Sequence, residues 1–68
     1  VKISARNVLK GKVVDIVKGA TTAHVMIDVG GTIVTASITN ESVDDLGLVK
    51  GMTASAVIKS SDVMVAVE

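Results

Sequence analysis

The sequence predicts a small all-β domain with one short helix, and three observations carry that reading. Val, Ile and Thr supply 26 of the 68 residues, a composition suited to pleated, half-buried surfaces. Apolar and polar side chains alternate with period two in three separate segments. Pro is absent, so the punctuation falls to six glycines, at 11, 19, 30, 31, 47 and 51.

The first strand is expected over Val8 to Val17 and changes phase within itself. Leu9, Gly11 and Val13 share one face, after which Val14 and Ile16 take over on the other. A phase change beside a Gly is what a bulge or sharp bend produces, and it allows one strand to serve two sheets. In the second strand Ala23, Val25, Ile27 and Val29 alternate with Thr22, His24, Met26 and Asp28. In the third, Val34, Ala36 and Ile38 alternate with Thr35 and Ser37. Gly30-Gly31 joins these two as a tight hairpin, because Gly accepts the positive φ such turns require.

The stretch Thr39 to Gly47 breaks the alternation. It opens with cap residues, carries acids in its first turns and closes on Gly, which predicts a helix of about two turns with Val43 and Leu46 on one face. A fourth strand follows, with Met52, Ala54, Ala56 and Ile58 alternating with Thr53, Ser55 and Val57. The last strand, Asp62 to Val67, is apolar on both faces, so it needs cover on two sides. Five strands, a bent first strand and a helix between the third and fourth are the layout of an OB-type barrel. The whole chain, 1–68, reads as a single domain, with no internal repeat, linker or low-complexity segment.

A chain of this length buries only about 60% of its unfolded surface, which leaves a monomer marginal. With no Cys, no aromatic residue and a single His, neither disulfide, thiolate metal site nor imidazole cluster can compensate. Yet 49% of the residues are hydrophobic. An oligomer that shares or exchanges strands resolves the conflict, with a neighbour covering the second face of the last strand. Seven basic and seven acidic residues cancel, so no broad basic surface is offered to nucleic acid or to an anionic membrane. The apolar runs are far too short to span a bilayer. Val1 in place of Met points to a trimmed terminus or an excised domain.

Catalysis has little to stand on. Six serines share one His with no recognisable elbow, and the adjacent Asp44 and Asp45 point in different directions from a helix, so they make no acid–base pair. His24 has no second ligand at metal-binding spacing and sits on the polar face of its strand. The chain is therefore expected not to be an enzyme. What remains is a set of small donors near strand ends. Ser4 and Arg6, the only Arg, precede the first strand; Lys59 and Ser60 follow the fourth; Thr39 and Ser42 bracket the helix start. Each alone has an ordinary reading as a surface charge, a turn residue or a cap. Together they provide a guanidinium, an ammonium, several hydroxyls and helix-start amides, an inventory that suits a compact, strongly charged oxyanion.

Ile3-Ser4-Ala5-Arg6-Asn7 at the opening, Ile38-Thr39-Asn40-Glu41-Ser42-Val43 in the middle and Lys59-Ser60-Ser61-Asp62-Val63-Met64 at the close resemble the molbindin family, the Mop domain, over the whole chain. The resemblance implies a cytoplasmic molybdate- or tungstate-binding protein with an OB-type fold, assembled as a homohexamer. It also implies an oxyanion site between two subunits, with Ser4, Arg6, Lys59 and Ser60 from one chain and Thr39 and Ser42 from its partner. All six match in donor type, and Val8 is a departure, because a polar residue often follows the Asn there. The expected function is oxyanion storage without turnover. The same domain is similar to regulatory regions of molybdate transporter ATPases and of a molybdate-responsive regulator, which supplies an alternative. A different class, an OB-fold nucleic-acid module, requires aromatic stacking surfaces and basic grooves that this chain lacks.

Overall fold

The computed structural model describes residues 2–68. The element order is β1 (Asn7–Lys18), β2 (Thr22–Asp28), β3 (Ile33–Thr39), α1 (Asn40–Asp45) and β4 (Thr53–Ile58), then a 3-10 turn at Ser60–Asp62. The four strands form one antiparallel sheet in the order β3-β2-β1-β4. The sheet curls, so that β2 and β4 touch although β1 lies between them.

β1 is long enough to pair with two partners in succession. Its first half, from Asn7↔Ile58 to Lys12↔Thr53, pairs with β4, and its second half, from Lys12↔Asp28 to Lys18↔Ala23, pairs with β2. One continuous sheet results, not the two sheets suggested by the phase slip. The bulge falls between Val13 and Asp15, three residues past Gly11, and Val14 is the unpaired extra residue. That extra residue puts Val13 and Ile16 on the same inward side, as their burial requires. Gly11 has a different task. A Cβ there would run into the Asp28 carbonyl oxygen and meet Ile27 Cγ2 at 2.9 Å, so the crossing of β1 over the end of β2 needs a bare backbone.

The expected hairpin is present. Gly30 and Gly31 have φ of 93° and 100°, Val29 N–H donates to the Thr32 carbonyl at 2.8 Å, and Gly31 N–H donates to Asp28 Oδ1 at 2.7 Å. The helix starts and stops by local chemistry. Thr39 Oγ1 accepts from Ser42 N–H at 3.0 Å as the N-cap. At the other end Gly47 adopts φ 63°; its N–H donates to the Asp44 carbonyl at 3.0 Å, and Leu48 N–H donates to the Val43 carbonyl at 3.1 Å. This paired closure is a Schellman motif, and Leu48 packs onto the core that includes Val43.

The core is small and aliphatic: Val13, Ala23, Val25, Ile27 and Ala56 from the inward face of the sheet, and Val43 from α1. Two expectations change here. Leu46 does not share the buried face with Val43; it is the helix C-cap, 65% exposed, at the rim of an apolar groove. The fifth strand expected at Asp62 to Val67 is not formed within the chain. Val63 has an extended backbone, but the segment pairs with no strand, and Met64, Val65 and Val67 are 94%, 89% and 92% exposed. A strand needs an edge to pair with, and within this chain the segment takes none.

Candidate oxyanion site

The sheet register decides which candidate donors come together. Asn7 pairs with Ile58, and its side-chain Nδ2 donates to the Ile58 carbonyl at 3.2 Å. Ser4 and Arg6 immediately precede this pair, and Lys59 and Ser60 immediately follow it. These four residues therefore cluster at one end of the sheet, all exposed. The 3-10 turn shapes the second arm: Asp62 N–H donates to the Lys59 carbonyl at 2.9 Å, folding the chain just past Ser60. Among the described residues the one ion pair is Lys18–Asp44 at 2.8 Å, so neither Arg6 nor Lys59 is neutralised by a carboxylate. Net charge is zero, yet this corner holds two uncommitted cations.

Thr39 and Ser42 lie elsewhere. Thr39 pairs with Thr22, beyond the Lys18↔Ala23 pair, at the far end of β1. The eleven steps from Asn7 to Lys18 span roughly 36 Å at the usual rise, before curvature shortens them. The longest dimension of the molecule is 35 Å. One chain thus brings Ser4, Arg6, Lys59 and Ser60 together and holds Thr39 and Ser42 at the other end of β1.

At that second end the hydroxyls form a pair. Thr39 Oγ1 lies 2.8 Å from Ser42 Oγ while also accepting from Ser42 N–H. Two hydroxyls share one contact, so one proton lies between them and one is free to point outward. The amides at the helix start are fewer than the sequence suggests. That of Ser42 goes to Thr39 Oγ1, and that of Asn40 donates to the Thr21 carbonyl at 2.9 Å. Asn40 is the residue that donor counting passes over: its Nδ2 also donates to the Gly19 carbonyl at 3.0 Å. The only sequence signal for it is an amide side chain placed directly after the cap.

Among the described residues no group of three or more His, Cys, Asp or Glu is arranged to hold a metal ion. His24 is exposed and pairs with Ser37 across the polar face of the sheet. No helix among the described residues is long and apolar enough to cross a membrane.

The fold and the donors define a class: a small curled-sheet domain whose strand ends carry hydroxyl and cationic donors suited to an oxyanion. Residues 3–65 match the family model of the TOBE domain. The chain is 53% identical to molybdenum-pterin-binding protein 3 of Clostridium pasteurianum, over 93% of this chain and 94% of that one. A solved molybdate-binding protein from Sporomusa ovata superposes with a TM-score of 0.93 at 42% identity, over 97% and 98% of the two chains. The cytoplasmic molybdate-binding protein ModG, solved with molybdate bound, superposes with a TM-score of 0.90 at 48% identity, over 94% of this chain and 46% of that one. The chain belongs to the TOBE domain family, in its molbindin or Mop branch.

Proposed function

We propose that this chain stores molybdate or tungstate in the cytoplasm, as a homohexamer whose oxyanion sites each lie between two subunits, and that it catalyses no reaction. The observation that carries this reading is the separation of the donors. Ser4, Arg6, Lys59 and Ser60 stand at one end of β1 and Thr39 and Ser42 at the other. If all six act on one ion, two chains must supply them. The relatives and the ModG structure support molybdate as that ion.

The means of assembly is supported by the groove and the tail. An open, mostly apolar groove of about 560 Å³ runs between β3 and β4, lined by Val25, Ile27, Ala36, Ile38, Ala54 and Ile58 among others. β3 and β4 are the two edges of the sheet. Residues 63–67 are apolar and exposed, Val63 has an extended backbone, and five residues in strand conformation would cover roughly 17 Å. Seating this segment of one subunit in the groove of another buries both surfaces, pairs the open edges and completes a five-stranded OB-type barrel.

A pocket built from donors suits a tetrahedral dianion, whose oxygens all accept. Partly protonated phosphate fits less well, because its O–H then faces other donors. Sulfate is also a dianion, and its shorter bonds leave some donors out of reach. A second reading, this domain as the regulatory part of a larger protein, draws support from the molybdenum transport protein ModE of Herbaspirillum seropedicae, 45% identical over 97% of this chain and 25% of that one. On either reading the domain itself takes neither nucleic acid nor membrane as a partner. Calorimetric titration with molybdate, tungstate, sulfate and phosphate, with the mass measured by sedimentation, tests the proposal. Tight binding of the two larger oxyanions by an oligomer is the expected result, and a folded 6.9 kDa monomer without oxyanion affinity overturns it.

A further inference from the structure

We infer that Asn40 is a positioning residue for the oxyanion site, setting the direction of the Thr39–Ser42 hydroxyl pair by tying the helix start to the β1–β2 turn; this rests on the site proposed above. The tie is double. Asn40 N–H donates to the Thr21 carbonyl at 2.9 Å and Asn40 Nδ2 donates to the Gly19 carbonyl at 3.0 Å, so one residue grips two carbonyls of the same turn. That turn is itself closed by Gly19 N–H donating to the Thr22 carbonyl at 2.7 Å, and is therefore a firm anchor. Asn40 sits directly after Thr39 and two residues before Ser42, at the bend where extended backbone (Thr39 ψ 153°) becomes helix. The angle of that bend aims both hydroxyls. The other side-chain link between α1 and this end of β1 is the Lys18–Asp44 pair, with both side chains exposed (47% and 68%), and such pairs hold geometry weakly.

The remaining atom of the Asn40 side chain separates positioning from stability. Pointing Nδ2 at Gly19 leaves Oδ1 buried with no donor. An unmet buried carbonyl costs at least as much as the neutral hydrogen bond beside it contributes, so the two effects oppose each other. Replacing the side chain removes both. What it removes without compensation is the second grip on the turn.

The test is a double-mutant cycle, reading molybdate affinity by calorimetry, the oligomer by sedimentation and the thermal midpoint. Asn40→Ala is expected to keep the parent oligomer and shift the midpoint by less than roughly 4 °C. It should weaken molybdate binding roughly 3- to 10-fold, the scale of one neutral hydrogen bond. In a Thr39→Val/Ser42→Ala background the same substitution should change affinity no further, because its effect passes through those hydroxyls. Asn40→Asp keeps the shape but sets an acceptor against the Gly19 carbonyl, and should bind no better than Asn40→Ala. Parent-like affinity in Asn40→Ala, or an equal loss in both backgrounds, overturns the inference while leaving the site standing. Parent-like affinity in Thr39→Val/Ser42→Ala overturns the site, and this inference with it. If Asn40→Ala does not fold, Asn40→Ser takes its place in the cycle with the same expected outcomes.

Discussion

Thr39 Oγ1 lies 2.8 Å from Ser42 Oγ and 3.0 Å from Ser42 N, so one threonine hydroxyl is both the cap of α1 and half of a hydroxyl pair. The two residues are therefore not equivalent donors. In Ser42→Ala the Thr39 oxygen still accepts from the residue-42 amide, and its own proton is released to donate outward. Affinity for molybdate should fall roughly 2- to 10-fold, with the thermal midpoint nearly unchanged. Thr39→Val removes the cap as well, and should cost about 1 kcal/mol of stability on top of a comparable loss of affinity. Calorimetry and thermal melts on the two single variants check the contrast.

Arg6 and Lys59 are expected to dominate binding. Each is a charged donor not paired with a carboxylate among the described residues, so no internal partner competes for it. Charge-assisted hydrogen bonds contribute about 1.5–3 kcal/mol each in a partly buried site, so Arg6→Ala should weaken molybdate binding roughly 10- to 150-fold, and Lys59→Ala similarly. Both variants should keep the parent sedimentation behaviour. An Arg6→Ala protein that binds as tightly as the parent, in the same oligomer, defeats the site assignment.

Alternation makes the fold largely legible, because burying one face of a strand imposes period two on its residues. Ala23, Val25 and Ile27 are legible as buried for that reason, and Gly30-Gly31 as a hairpin because two positive φ angles exclude most other residues. Alternation does not report where a bulge sits. The phase slip is visible over several residues of β1, but Val14 becomes the extra residue only through the pairing of β1 with β2, which passes it over. Leu46 has helical spacing from Val43, yet the chain turns away at Gly47 and leaves it at the groove rim. The site is legible to the extent that its motifs are local. Thr39 reads as a cap from its neighbours, whereas the Asn40 tie reaches a carbonyl 21 residues away that no local pattern reveals.

Gly11→Ala should destabilise the protein by about 1–3 kcal/mol, the usual cost of forcing a methyl group into filled space. The new carbon would meet the carbonyl carbon of Asp28 and Ile27 Cγ2 at 2.9 Å each, and backbone cannot swing aside as a side-chain tip can. Because β1 exchanges β4 for β2 at this point, the displacement acts on both ladders at once. Urea unfolding at fixed protein concentration measures the loss. Unchanged stability would mean that β1 crosses the end of β2 with more room than this geometry allows.

Removing residues 63–67 should abolish assembly. In the single chain Val65 and Val67 are almost wholly exposed, and the groove between β3 and β4 presents apolar side chains and two unpaired strand edges. A core of six buried residues is too small to hold an isolated domain of this size firmly, so the truncated chain should also lose most of its stable structure. A gentler variant, Val65→Asp, places one charge on the segment and should shift the assembly to higher protein concentration without altering the chain's own strands. Sedimentation across a concentration series separates these outcomes from a tail that has no part in assembly.

The separation of the two donor groups along β1 yields a test that does not depend on the size of any one effect. Arg6→Ala spoils one half of every site and Thr39→Val/Ser42→Ala spoils the other, so each protein alone should bind molybdate poorly. Unfolded together and reassembled, they form mixed oligomers. If a site takes Arg6 from one subunit and the hydroxyl pair from the next, some interfaces join an intact Arg6 to an intact Thr39 and Ser42. In a random mixture that is roughly a quarter of the sites, since each half is intact with even odds. Titration should then recover parent-like affinity at about that fraction of the parent stoichiometry, and mixing without reassembly should recover none. If each site were built within one chain, every site in the mixture would still carry a defect, and no tight fraction would appear. The register makes the first outcome the expected one, because Asn7 and Lys18 stand at opposite ends of one strand and the donors stand beyond them.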